Sequence, residues 1–194
     1  MNIMNINVIF ASTKRGGIGY KNKIPWFIKD DLMHFKNITK QKGFINIIIM
    51  GKNTWNSLPN KPLKGRTNII LTRNPMDIKE YENTMKQSSL LDALNFSTRV
   101  SNTHDVNLSI IGGEYVYNEF EKFCDKINEQ DIVSLRKVYS HSLYHTIIDV
   151  DYECDRFFKP NMNRYILVSK EDKNVLEENT KENVNICYLH YKSK

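Results

Sequence analysis

Ile47-Ile48-Ile49-Met50 runs into Gly51-Lys52-Asn53-Thr54, and further on Leu108-Ser109-Ile110-Ile111 runs into Gly112-Gly113-Glu114-Tyr115. The apolar runs before both glycines are nearly continuous, as strands buried on both faces require. A strand that turns through glycine into a helix points free backbone N–H groups at one spot, where the helix dipole also favours anions. Glycine matters there because a Cβ would block close approach of a phosphate. One such junction says little, since glycine marks many strand ends. Two of them, at the carboxyl ends of parallel strands, mark the place where ligands of open α/β sheets bind. Neither matches the Rossmann or P-loop spacing.

Outward from these junctions, short β-branched runs alternate with helical stretches. Strands are expected at Ile6–Ser12, Phe44–Met50, Thr67–Thr72, Asn107–Ile111, a stretch ending near Thr146–Val150, Tyr165–Ser169 and Val184–Tyr191. Helices are expected at Asp30–Thr39, Asn53–Leu58, Leu90–Phe96 and Tyr115–Phe123. The alternation over the first two thirds predicts an α/β sheet. The last two runs have no helix between them, which predicts an antiparallel hairpin with a polar, mobile turn near Glu171–Asn183.

Bulk properties narrow the class. With 194 residues, 40% of them hydrophobic and 26% charged, the chain suits a single globular domain spanning residues 1–194. The net charge of +6 is scattered rather than gathered into a stripe, so no nucleic-acid partner is expected. A diffuse positive field suits steering of small anions instead. The cysteines Cys124, Cys154 and Cys187 form neither a metal motif nor a disulfide framework, which points to a reducing, cytoplasmic setting. The opening MNIMNINVIF lacks the pattern of a signal peptide, and no apolar run is long enough to span a bilayer.

Chemistry concentrates near the first strand. Gly16-Gly17-Ile18-Gly19 makes a flexible loop, Ile24-Pro25-Trp26 stops it, and Asp30-Asp31-Leu32 opens a helix. Asp31 falls three residues after Ile28 and four before Phe35, so it shares their apolar face, while Asp30 turns to solvent. Both aspartates suit a helix N-terminus. A carboxylate on an apolar face also needs a partner or a raised pKa. Leu63-Lys64-Gly65-Arg66-Thr67-Asn68 places an arginine before a buried strand, where it is either a solvated turn residue or a fork for a carboxylate. His141 and His145 lie where a strand is expected and read as structural.

Taken in order, Gly-Ile-Gly, Ile-Pro-Trp, Asp-Leu-Met-His-Phe-Lys, Ile-Met-Gly-Lys-Asn-Thr-Trp, Pro-Leu-Lys-Gly-Arg-Thr-Asn-Ile-Ile-Leu-Thr-Arg, Ile-Ile-Gly-Gly-Glu-Tyr-Val-Tyr and Tyr-Glu-Cys-Asp-Arg-Phe-Phe-Lys-Pro resemble dihydrofolate reductase from about Ile6 to Pro160. The resemblance implies one mostly parallel, eight-stranded twisted sheet with helices on both faces and a C-terminal antiparallel hairpin. It implies a monomer that reduces dihydrofolate with NADPH. Asp31 would be the single active-site carboxylate, Trp26 would order a water, and Thr146 would hydrogen-bond the carboxylate and pterin. Ile9, Phe10, Ala11, Leu32, Phe35, Leu58, Leu63, Ile111 and Tyr117 would line the folate slot, with Arg66 on the glutamate tail. Ala11 and Ile18 would offer carbonyls to the nicotinamide amide. Gly51, Lys52, Asn53 and Thr54 would meet the phosphates, and Thr72 with Arg73 the 2′-phosphate. Gly112, Gly113, Glu114, Tyr115, Val116 and Tyr117 would complete the cofactor side.

Four features depart from the family pattern, the mildest being Lys52 and Asn53 in place of a more usual Arg-rich pair. Glu114 stands where a small or basic residue would better suit a pyrophosphate. Phe10 replaces the usual alanine and would narrow the pterin slot. The stretch Glu121–His145 is longer than in compact bacterial forms. Another reductase of the same fold should not need Asp31 and Arg66 together, and a silent binding protein would not need the carboxylate, tryptophan and threonine.

Overall fold

The computed structural model describes residues 4–129 and 139–194. In chain order the strands are β1 Met4–Thr13, β2 Gly17–Gly19, β3 Ile45–Gly51, β4 Thr67–Leu71, β5 Thr84–Gln87, β6 Val106–Ile110, β7 Tyr139–Ile148, β8 Arg156–Phe157, β9 Tyr165–Leu176 and β10 Asn183–Ser193. The α-helices are α1 Lys29–Thr39, α2 Lys52–Ser57, α3 Leu90–Ser101 and α4 Glu114–Glu129. The main sheet has eight strands in the order β5-β4-β3-β6-β1-β7-β10-β9. Neighbours from β5 to β7 are parallel, and β10 pairs antiparallel with both β7 and β9.

β3 shows why the apolar run is continuous. Ile47 and Ile49 enter a core with Leu94 of α3 and Phe120 of α4, whereas Ile48 and Met50 enter another with Trp55 of α2. Phe35 of α1 packs on that second core. Helices therefore cover both faces, and each fully buried Ile contributes about 1.5–3 kcal/mol. β6 is inserted between β1 and β3, which sets the two glycine junctions side by side. The Gly51 N–H donates to the Gly112 carbonyl at 2.7 Å.

Two features differ from expectation. The polar stretch from Glu171 is strand as far as Leu176, and only residues 177–182 remain as the turn before β10. β9 is an edge strand exposed along most of its length, so it lacks the burial that would make it apolar. β5, at the opposite edge, was not expected at all. The short ribbon of β2 and β8 lies outside the main sheet and ties the Gly16–Gly19 loop to Arg156 and Phe157. Within the long stretch Glu121–His145, α4 runs to Glu129 and β7 starts at Tyr139; residues 130–138 lie outside the described residues.

On β7, His141 is buried and His145 is partly buried. His145 hydrogen-bonds Ser12 Oγ at 2.8 Å, and His141 packs edge-on against Phe120 and Tyr165. Among the described residues no helix is long and apolar enough to cross a membrane.

Candidate active site

The carboxyl ends of β1, β3 and β6 open into a cleft of about 750 Å³, within the size range that holds small ligands and cofactors. α1 crosses one side of it and brings Asp31, Leu32, His34 and Phe35 into the lining. Leu32 is 47% exposed, an apolar side chain presented to the cleft rather than to the core. Leu58 and Ile111 continue the apolar wall.

Asp31 lies deep in this wall. Burial raises its pKa from 3.8 to about 6, and a hydrogen bond from Thr146 opposes the rise. Thr146 is itself buried on β7, directly opposite Ala11 of β1 and Tyr188 of β10. Trp26 is buried beside them, and its indole N–H has no partner among the described residues. A buried donor left unpaired costs about 1–3 kcal/mol, so this position suits an acceptor supplied by water or ligand. His34 packs against Tyr188 with ring centres 4.1 Å apart and the planes tilted by 31°.

The first strand carries Ile9, Phe10 and Ala11 along the floor. Phe10 does not fill the slot with its ring. That ring stacks on His145 at 4.1 Å and meets Phe158 and Tyr117 at 5.0 and 5.9 Å, in an aromatic cluster behind the strand. Tyr117 donates its hydroxyl to the Ile9 carbonyl at 2.7 Å and so ties α4 to β1. Gly112 adopts φ +110°, and a Cβ there would meet the Tyr117 hydroxyl at 2.9 Å.

On the other side, Ile18, Gly51, Lys52, Asn53, Thr54, Thr72, Arg73, Gly113, Glu114, Tyr115, Val116 and Tyr117 all line the cleft. A Cβ at Gly113 would sit 3.1 Å from Thr54 Oγ1, so a side chain there would crowd the place where the junctions meet. Lys52 is already paired with Asp77. Thr72 braces the following loop by accepting from the Asn74 N–H at 3.2 Å and donating to the Asn74 carbonyl at 3.1 Å. Glu114 faces Arg156 of β8 across the channel.

Leu63, Arg66 and Gly112 are not brought into the lining and stand just behind it. Arg66 donates from Nη1 to Thr39 Oγ1 at 2.7 Å and lies 5.9 Å from the Phe35 ring centre, while its Nε has no partner. Conversely, the cleft includes His34, Asn74, Ser88, Ser89 and Arg156, which the sequence reading did not single out. Ser89 carried a legible signal: it caps α3, accepting from the Asp92 N–H at 3.1 Å, in a Ser-x-x-Asp pattern.

The chain matches the family model described as dihydrofolate reductase over residues 5–193. It is 36% identical over 155 residues to a dihydrofolate reductase of Buchnera aphidicola, covering 80% of this chain and 79% of that one. It is 33% identical over 167 residues to one from Ureaplasma parvum, covering 86% and 89%, and 32% identical over 183 residues to one from Aedes albopictus, covering 91% and 90%. A bifunctional dihydrofolate reductase-thymidylate synthase of Paramecium tetraurelia is 30% identical over 97% of this chain and 34% of its own length. With its cleft, its buried carboxylate and this likeness over nearly the whole length, the chain belongs to the dihydrofolate reductase family.

Proposed function

We propose that the cleft reduces 7,8-dihydrofolate to 5,6,7,8-tetrahydrofolate, with NADPH lying across the two glycine junctions and the pterin held by Asp31. The observation that carries this reading is Asp31 itself, a carboxyl with pKa raised to about 6 on an apolar wall, hydrogen-bonded to Thr146 and neighboured by the unpaired Trp26 N–H. A carboxyl in that range can hold a proton or release it at working pH. It would accept from the pterin N3–H and 2-amino group, while Trp26 orders a water near N5 for the proton that the reaction needs. Leu32, Phe35, Leu58 and Ile111 would exclude other water from the ring. Arg66, with an unpaired Nε beyond Phe35, would take the carboxylate of the glutamate tail.

The residues present fit a nicotinamide dinucleotide phosphate. Gly113 leaves bare backbone where a Cβ would crowd Thr54, and Arg73 with Thr72, Asn74, Ser88 and Ser89 gathers one cation and several polar groups at one end of the cleft. That grouping suits a 2′-phosphate and so favours NADPH over NADH. When bound, NADPH supplies the hydride. Ala11 and Ile18 would orient the nicotinamide amide by their carbonyls, and Tyr117 would support the ring edge.

The test is oxidation of NADPH by purified, folded protein with and without dihydrofolate. Oxidation that depends on dihydrofolate is expected; its complete absence would falsify the reading.

A further inference from the structure

The geometry points to Arg156 as a ligand of the cofactor's pyrophosphate, offsetting the charge of Glu114. This inference rests on the cofactor reading above. Glu114 is the first residue of α4 and follows the glycine pair, so its carboxylate borders the stretch of cleft where a diphosphate would approach Gly113. An uncompensated carboxylate there would repel two further negative charges. The cations available to answer it are unevenly placed. Lys52, at the other glycine junction, is engaged by Asp77. Arg73 lines the cleft together with Thr72, Asn74, Ser88 and Ser89, the group assigned above to the 2′-phosphate. Lys23 sits in the exposed turn after β2. Arg156 alone of these faces Glu114, with Nε 3.8 Å from Glu114 Oε2.

That separation is too long for a hydrogen bond, and Arg156 is 49% exposed. The pair is therefore a loose one, of the kind that contributes little by itself. Arg156 is nonetheless well placed. Its backbone is held by pairing with Gly19, and Nη1 donates to the Asp155 carbonyl at 2.8 Å. Asp155 in turn donates its N–H to the Gly19 carbonyl at 3.0 Å and accepts from the Lys21 N–H at 3.1 Å. Nε and Nη2 make no hydrogen bond among the described residues, and a planar fork of free donors is what a phosphate oxygen pair accepts.

The experiment measures direct binding of NADPH and of NADH by fluorescence titration, without substrate. The pyrophosphate is common to both dinucleotides, so Arg156→Met should weaken both by about tenfold, with Arg156→Lys recovering part of the loss. Glu114→Gln should tighten both by a few-fold and blunt the loss caused by Arg156→Met in the double variant. Unchanged affinities in Arg156→Met overturn the assignment, as does a loss confined to NADPH, which would place Arg156 on the 2′-phosphate. Weaker binding in Glu114→Gln overturns the offsetting role even if an Arg156 variant folds poorly. A parent protein that binds neither dinucleotide overturns the cofactor reading itself, which separates the two failures.

Discussion

The Glu177 carboxylate accepts a hydrogen bond from the Phe27 backbone N–H at 2.7 Å, across 150 positions of sequence. It also accepts from the Thr180 N–H at 2.7 Å and from Asn179 Nδ2 at 2.9 Å, with no surface left exposed. The Phe27 carbonyl accepts in return from the Glu178 N–H at 2.9 Å. α1 starts at Lys29, and its N-cap residue Ile28 has no side-chain cap, so the β9–β10 turn fixes the chain at Phe27 just before the helix instead of capping the helix itself. Trp26 and Asp31 flank this clamp.

Glu177→Ala should lower stability by about 1–3 kcal/mol through buried N–H groups left unpaired, and it should lower kcat by loosening Trp26 and Asp31. Burial pushes the Glu177 carboxyl up, but the hydrogen bonds from Phe27, Thr180 and Asn179 outweigh it and leave the pKa below the usual value. A depressed carboxyl contributes stability above its unfolded pKa and loses it as pH falls. The stability gap between the parent and Glu177→Gln should thus shrink on going from neutral pH to about pH 4. A gap that widens in acid in thermal denaturation would contradict the assignment.

Asp31 has the opposite sign. Its pKa, raised by burial to about 6, means that the folded state holds the proton more tightly than the unfolded chain. Folding is then favoured at low pH and loses stability as pH climbs from about 4 to about 6. Asp31→Asn should therefore be more stable than the parent at pH 8, by about 1–2 kcal/mol after allowing for solvent in the cleft, with no such gain below about pH 4. The same variant should lose most turnover at neutral pH and recover some at low pH, where substrate arrives protonated. Steady-state rates across pH check this, and unchanged turnover would remove Asp31 from its role.

For Arg66→Leu, the Michaelis constant for dihydrofolate should rise tenfold or more, with little change for NADPH, since a charge-assisted pair is lost at the tail alone. Equal effects on both constants would contradict the tail assignment.

Arg73→Ala should raise the dissociation constant of NADPH by about tenfold while sparing NADH, measured by the same titration as above. A parallel loss for NADH would move Arg73 off the 2′-phosphate.

The parts legible in the sequence were those encoded locally. The glycine junctions at Gly51 and Gly112 close continuous apolar runs, and Asp31 separates from Asp30 by helical phase alone. Arg156 could not be read that way: it reaches the cleft through the pairing of two very short strands, which leave no periodic signal. β5 consists of Thr84-Met85-Lys86-Gln87 at the edge of the sheet, half-buried throughout, so its composition does not alternate. The polar residues of β9 read as a turn for the same reason. Phe10 was legible as a departure, but its direction was not, because only packing reveals that His145 and Phe158 receive the ring.

β10 follows β9 in the chain yet lies between β7 and β9 in the sheet. A nascent polypeptide that has reached β9 thus has nowhere to put it, and the bare edge of β7 stays open until the next strand arrives. Unpaired edges of this kind invite pairing with other chains. Synthesis on the ribosome should leave a late window in which Thr146 sits on an unfinished border, and holding chaperones would have their greatest effect there.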